Sequence, residues 1–269
     1  MEPMHQDRHS RPRGRRARRG IYLLPTLFTV GNLFAGYASV VRSFQGAVEQ
    51  AALLIIVAGV LDALDGRIAR LTGSTSEFGM EFDSLADMVS FGVAPAMLAY
   101  RWALEPLGRI GWVVAFIYVV CAAMRLARFN IKGRIEDKRY FAGLPSPMAA
   151  GSLATVAFAF PQPRTESPAQ VLLTLLTALV GLLMISRFRY RSFKELDLGN
   201  RRSYVYVLPL ATVLVAIAIV PRWAMLTVAS LYLLSAPLTY VISLVRRRVF
   251  GAADEPVGHG ETSSRGAQG

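Results

Sequence analysis

The sequence predicts an all-α integral membrane protein with about eight transmembrane helices, and three observations predict it. The 269-residue chain is 53% hydrophobic, with a mean hydropathy of +0.38. Soluble domains are only ~45–50% apolar, even with glycine counted in. The excess sits in runs of about twenty residues, the length that crosses a bilayer as a helix. The 30 lysines and arginines, which give a net charge of +12, collect between those runs, as they do where loops mark the cytoplasmic side. No basic–aromatic interleaving accompanies the charge, so anionic membrane lipid is the expected partner and nucleic acid is not. Cys121 is the only cysteine. It allows no disulfide or thiolate cluster and reads as a small apolar packing residue. His5, His9 and His259 lie in the two tails, which excludes histidine catalysis or a zinc site in the membrane part.

Residues 1–20, ending RHSRPRGRRARRG, are expected to form a disordered basic arm lying on anionic headgroups. Glu2 and Asp7 speak against a transit peptide, and the apolar stretch that follows lacks the small-residue cleavage site of a signal peptide. Eight apolar segments follow, at about 22–41, 50–70, 81–100, 110–127, 145–161, 170–186, 204–221 and 223–245. No internal repeat is visible. In the first segment, Gly31 and Gly36 permit close helix contact. Asn32 reads as an interhelical hydrogen-bonding residue rather than a ligand. The second and third segments hold aspartates near their ends. The fourth ends CAAMRLARFNIKGR, with Arg125 and Arg128 on one helical face and Asn130 just after. Arg125 lies inside the apolar run, so a ligand role stands beside ordinary positive-inside anchoring. In RYFAGLPSPMAAG, residues 139–151, Gly143, Pro145 and Pro147 predict irregular backbone leading into the fifth helix. Such backbone is tolerated at membrane depth where it lines a polar cavity. Residues 187–203 read as a solvated basic loop, the last two helices as scaffold, and 250–269 as a disordered polar tail.

The charges set the orientation. Seven arginines in the arm, five basic residues in 128–143, six in 187–203 and four beyond the last helix fall on one side of an even number of spans. Only five fall on the other side. Both termini are therefore expected in the cytoplasm.

The stretch LDALDGRIARLTGSTSEFGMEFDSLAD, residues 61–87, concentrates acid where the chain is otherwise apolar. A carboxylate within a span costs at least ~2.5 kcal/mol at the helix centre, so Asp62, Asp65, Asp83 and Asp87 need a partner. Asp62 and Asp65 are three apart, and Asp83 and Asp87 four apart, so each pair shares a helical face. Antiparallel helices joined by a link at 71–79 would bring the two faces together. An all-oxygen anionic pocket suits Mg²⁺ or Mn²⁺ rather than zinc. Gly66, Ala69 and Gly79 allow close approach, and Arg67 and Arg70 stand where a phosphate would be held. Two other readings exist. Ion-paired acids stapling helices would require more nearby arginines. A cation-coupled transporter would place its carboxylates near the midplane of two related halves, and no halves are seen.

Written as a pattern, the stretch is Asp62-x2-Asp65-Gly66-x2-Ala69-Arg70-x8-Gly79-x3-Asp83-x3-Asp87. It resembles the signature of the CDP-alcohol phosphatidyltransferases at all eight specified positions. The resemblance covers roughly 22–186 and implies a six-helix catalytic core over 21–186. On that division, 187–249 is a basic loop with two additional helices, and the arm and tail complete the chain. LPTLFTVGNLFAGY, DSLADMVSFGVAPA, RLARFN and FAGLPSP are similar to the bacterial and archaeal phosphatidylserine synthase branch. Phosphatidylglycerophosphate synthases, the alternative, usually carry lysine after the fourth aspartate, where this chain has Met88.

The resemblance implies transfer of the phosphatidyl group from CDP-diacylglycerol to the hydroxyl of L-serine, giving phosphatidylserine and CMP. The enzyme would be a homodimer in a prokaryotic inner membrane. It also implies Asp62, Asp65 and Asp83 as metal ligands, and Asp87 as general base and further ligand. Gly66, Ala69, Arg70 and Gly79 would surround the CDP group. Arg125, Arg128 and Asn130 are the candidates for binding serine, because a guanidinium reads a carboxylate well.

Overall fold

In a computed structural model of the protein, residues 15–72, 76–132, 140–162, 167–186, 189–191, 211–212 and 215–250 are described. Helices α1 (Arg15–Phe44) and α2 (Val48–Thr72) pack along each other as a hairpin. Gly46, at φ +74, makes the turn between them, a conformation that disfavours a Cβ. Helix α1 begins at Arg15, so residues 15–20 of the expected disordered arm are helical. The arm before them lies outside the described residues.

A continuous helical run then spans Glu77–Leu107. It comprises α3 (Glu77–Asp87), a π turn (Met88–Val93), α4 (Ala94–Ala99), a second π turn (Tyr100–Leu104) and a 3-10 turn (Glu105–Leu107). Helices α5 (Arg109–Lys132), α6 (Ser146–Ala159), α7 (Ser167–Ile185) and α8 (Pro221–Phe250) follow. The run lies at the centre, against α1, α2, α5 and α6; α5 also packs on α7, and α6 on α2 and α8.

Proline accounts for the first π turn. Pro95 has no N–H for the Phe91 carbonyl one helical turn back, so the local ladder must be rebuilt. The Tyr118 hydroxyl from α5 donates to that carbonyl at 3.2 Å, and the Ala94 N–H reaches back to Val89.

The interior is built from small residues. Ala51, Ala52, Ala58, Ala94, Ala154 and Ala157 meet Ile55, Phe91 and Leu98 in one cluster. Ala115, Cys121, Ala122 and Ala149 surround Tyr118 and Leu153 in a second. Large side chains such as Leu27, Phe34, Val57, Phe116, Leu172 and Leu179 point outward. This inverts the soluble pattern and suits a bundle in lipid, where close backbone approach drives packing. By length and composition, Glu77–Leu107, Arg109–Ile131 and Pro168–Ile185 are able to cross a membrane. Helices α1 and α2 are long, at 30 and 25 residues; α1 holds no charged residue between Ile21 and Val41, whereas α2 carries Asp62, Asp65 and Arg67 toward its end. Helix α6, at 14 residues, spans about 21 Å, less than a ~30 Å hydrocarbon core. Residues 204–210 and 213–214 of the expected seventh segment, and the tail beyond Phe250, lie outside the described residues.

One feature departs from all-α. The strands β1 (Tyr140–Ala142) and β2 (Arg189–Arg191) pair antiparallel, with Phe141 opposite Tyr190. The expected solvated basic loop 187–203 contributes Arg189–Arg191 to this ribbon. Gly143, at φ +87, leaves the ribbon so close to α7 that a Cβ would lie 2.2 Å from the Met184 carbonyl oxygen. The Leu144 N–H donates to Leu183 at 3.0 Å. The start of α6 is thereby tied to the end of α7.

Candidate active site

The four aspartates meet through the α2–α3 corner. Ser76 caps α3, its side chain accepting from the Gly79 N–H at 3.0 Å, which satisfies an otherwise orphaned first-turn donor. The cap starts α3 at Glu77, so Asp83 and Asp87 turn one helical face toward Asp62 on α2. One carboxylate oxygen from each of Asp62, Asp83 and Asp87 lies within 4.8 Å of the others. Asp65 is buried and accepts from Thr29 Oγ1 of α1 at 2.5 Å, within electrostatic range of Asp62 and Asp83.

This donor set fits a hard divalent cation. It is entirely oxygen, and the buried Oδ1 atoms of Asp65 and Asp83 meet no hydrogen-bond donor among the described residues. A cation would offset repulsion that carboxylates at this spacing otherwise suffer.

Among the described residues, Arg125 brings a guanidinium to this cluster. Its guanidinium sits within electrostatic range of Asp62 and Asp87. Nη1 donates to Ser146 Oγ at 2.7 Å, and the ring of Phe129 lies 5.7 Å away. Five N–H donors in a planar fork leave several for a ligand. Ser146 owes its position to Pro145 and Pro147, which set the first turn of α6.

The other expected site residues are less central. Arg128 is half-buried one turn beyond Arg125. Asn130 exchanges hydrogen bonds with Ser84, at 3.1 and 3.4 Å, linking α5 to α3. Gly66 and Ala69 follow Asp65 on α2 and are half-buried, and Arg67 is exposed. Arg70 continues α2, but its side chain lies outside what the structure describes.

Sequence reasoning missed the part played by α1. Thr29 and Asn32 are three apart on one face, both buried, and both reach carboxylates. Asn32 does make the expected interhelical bond, and its partner is Asp87, at 3.1 Å from Nδ2. Two buried polar residues at helical spacing in LPTLFTVGN were a usable signal. Ser146 carried none. Nor did Tyr232 of α8, which is buried and within electrostatic range of Arg125.

Comparison with known proteins places this geometry. The chain is 39% identical over 193 residues to a CDP-diacylglycerol–serine O-phosphatidyltransferase of Helicobacter pylori, covering 70% of this chain and 79% of that protein. The enzyme of the same name from a second Helicobacter pylori strain is 36% identical over 231 residues, covering 84% and 94%. That of Bacillus subtilis is 35% identical over 180 residues, covering 67% and 96%. Residues 22–185, which hold the aspartates, Arg125 and Ser146, match the CDP-alcohol phosphatidyltransferase family, and the chain belongs to that family.

Proposed function

We propose that the protein transfers the phosphatidyl group of CDP-diacylglycerol to the hydroxyl of L-serine, releasing CMP. The observation that carries this reading is the convergence of Asp62, Asp83 and Asp87 beside Arg125. The chain's relatives are named for this reaction over most of their length. Serine Oγ attacks the phosphorus of the diacylglycerol phosphate. The bond from that phosphorus to the CMP oxygen breaks, and CMP leaves with the electron pair. Asp87 takes the hydroxyl proton. Asp62, Asp65 and Asp83 hold the divalent cation, Mg²⁺ or Mn²⁺, with Asp87 able to add an oxygen. When bound, the cation neutralises the pyrophosphate and the charge that develops on the leaving oxygen.

Gly66, Ala69, Arg70 and Gly79 border the CDP group. Arg125 binds the serine carboxylate, assisted by Arg128; Asn130 shapes that edge through Ser84. Pairing of a guanidinium with a carboxylate is strong and directional.

The site faces the cytoplasm, where CMP and serine are soluble. The distribution of basic residues supports that orientation, with the protein integral to the inner membrane of a prokaryote and both termini cytoplasmic. Eight spans fit this arrangement: six in the core over 21–186 and two after it, with basic arm and tail at the ends. The arm meets anionic lipid, and the enzyme works as a homodimer.

The test is CMP release from CDP-diacylglycerol by purified protein with a panel of acceptors. L-serine should be used well above glycerol 3-phosphate and inositol. Equal or better use of glycerol 3-phosphate would refute the reading.

A further inference from the structure

Helix α1 carries a side chain whose chemistry is only half used. Asn32 is fully buried. Its Nδ2 donates to Asp87 Oδ1 at 3.1 Å, and its backbone carbonyl accepts from Ser90 Oγ at 2.9 Å. Its Oδ1 is buried and meets no donor among the described residues. The amide cannot be turned over to relieve this, because Oδ1 would then face a carboxylate oxygen. Leaving a buried acceptor unsatisfied is costly. Oδ1 and Nδ2 share one carbon, so this vacant acceptor lies beside the carboxylate that receives the acceptor's proton.

We propose that Asn32 is a specificity-determining residue: Nδ2 holds Asp87, and Oδ1 accepts a hydrogen bond from the ammonium group of the amino-acid acceptor. This rests on the serine reading above. The hydroxyl has a single proton, which goes to Asp87, so it has none for Oδ1. An ammonium has three donors and no acceptor, and the surrounding carboxylates favour a cation. With the carboxylate on Arg125 and the hydroxyl on Asp87, the ammonium on Asn32 supplies a third point of contact. Three points define one enantiomer and reject acceptors that lack the amine.

The test compares L-serine with 3-hydroxypropanoate, which keeps the hydroxyl and carboxylate but lacks the amine. Each is assayed with wild type, Asn32→Leu and Asn32→Ala, by CMP release and by competition against serine. Any loss of Asp87 positioning lowers both acceptors alike, so the ratio of their kcat/KM values isolates the amine contact. That ratio should fall about tenfold or more in both variants, as expected for a hydrogen bond to a charged group. An unchanged ratio overturns the proposal. Mn²⁺ titration and donor-lipid binding, which need no turnover, are measured on the same preparations. Loss of Mn²⁺ binding together with the amine preference would make Oδ1 a metal ligand and overturn it as well. If both variants fail to bind donor lipid, Asn32→Ser, smaller and still polar, takes their place under the same criterion. Failure of the serine reading is separate, because wild type would then release CMP faster with an acceptor other than serine.

Discussion

Substituting Gly36 tests whether α1 positions the site. An added Cβ at Gly36 would lie 2.3 Å from Ser90 Oγ, 2.7 Å from Ser90 Cα and 2.9 Å from Ser90 Cβ. Rotating the Ser90 side chain does not remove the contact with Cα. The α1–π-turn interface must therefore open by about 0.7 Å to bring the 2.7 Å contact to an ordinary 3.4 Å. Overpacking of this kind costs about 1–3 kcal/mol, and loss of the Ser90–Asn32 hydrogen bond adds about 0.5–1.5 kcal/mol. The same displacement moves Asn32 from Asp87. A misplacement near 1 Å costs on the order of 10²-fold in rate, so Gly36→Ala should lower turnover roughly 10- to 100-fold. The control is Gly31→Ala in the same helix, whose Cβ would meet only Leu61 Cδ1 at 3.4 Å. Both are assayed by CMP release, with thermal unfolding in parallel. If Gly36→Ala keeps its rate within about twofold of Gly31→Ala, the close approach of α1 does not govern Asp87, and the magnitude argued from contact distances is wrong.

Other expectations concern the acidic cluster and the topology. Excess chelator should abolish CMP release, and Mg²⁺ or Mn²⁺ should restore it; undiminished activity in chelator would remove the metal reading. Asp87→Asn should depress turnover by about 10²–10⁴-fold, as loss of a positioned base does, with donor-lipid binding nearly intact. Asp62→Asn should weaken divalent-cation binding itself. If raised metal rescues Asp87→Asn as well as it rescues Asp62→Asn, Asp87 is a ligand and not the base. Reporter fusions after residues 104 and 165 should read as external, and those after 136 and 195 as internal. The reverse pattern would put the acidic pocket on the wrong side of the membrane for soluble serine.

The sequence by itself determined the membrane class, the pairing of the aspartates on helical faces and the family. Each is a short-range property. Hydropathy over twenty residues is summed locally, and aspartates three or four apart share a helical face wherever the helix goes. Arg125 was also legible, because a guanidinium inside an apolar run demands a reason.

Only the tertiary structure decided how the aspartates divide. Asp65 is held by Thr29, and Asp87 by Asn32, through partners 36 and 55 residues away in sequence. No periodicity encodes which helix face meets which. Ser146 reached Arg125 because two prolines set the turn of α6, and the ribbon formed because two distant loops had backbone groups to satisfy. The π turn after Asp87 arose from Pro95 and from a tyrosine on another helix. In lipid, helices gain little from burying apolar surface against one another, so small residues and buried polar contacts choose the pairings. Those contacts exist only once the helices have met.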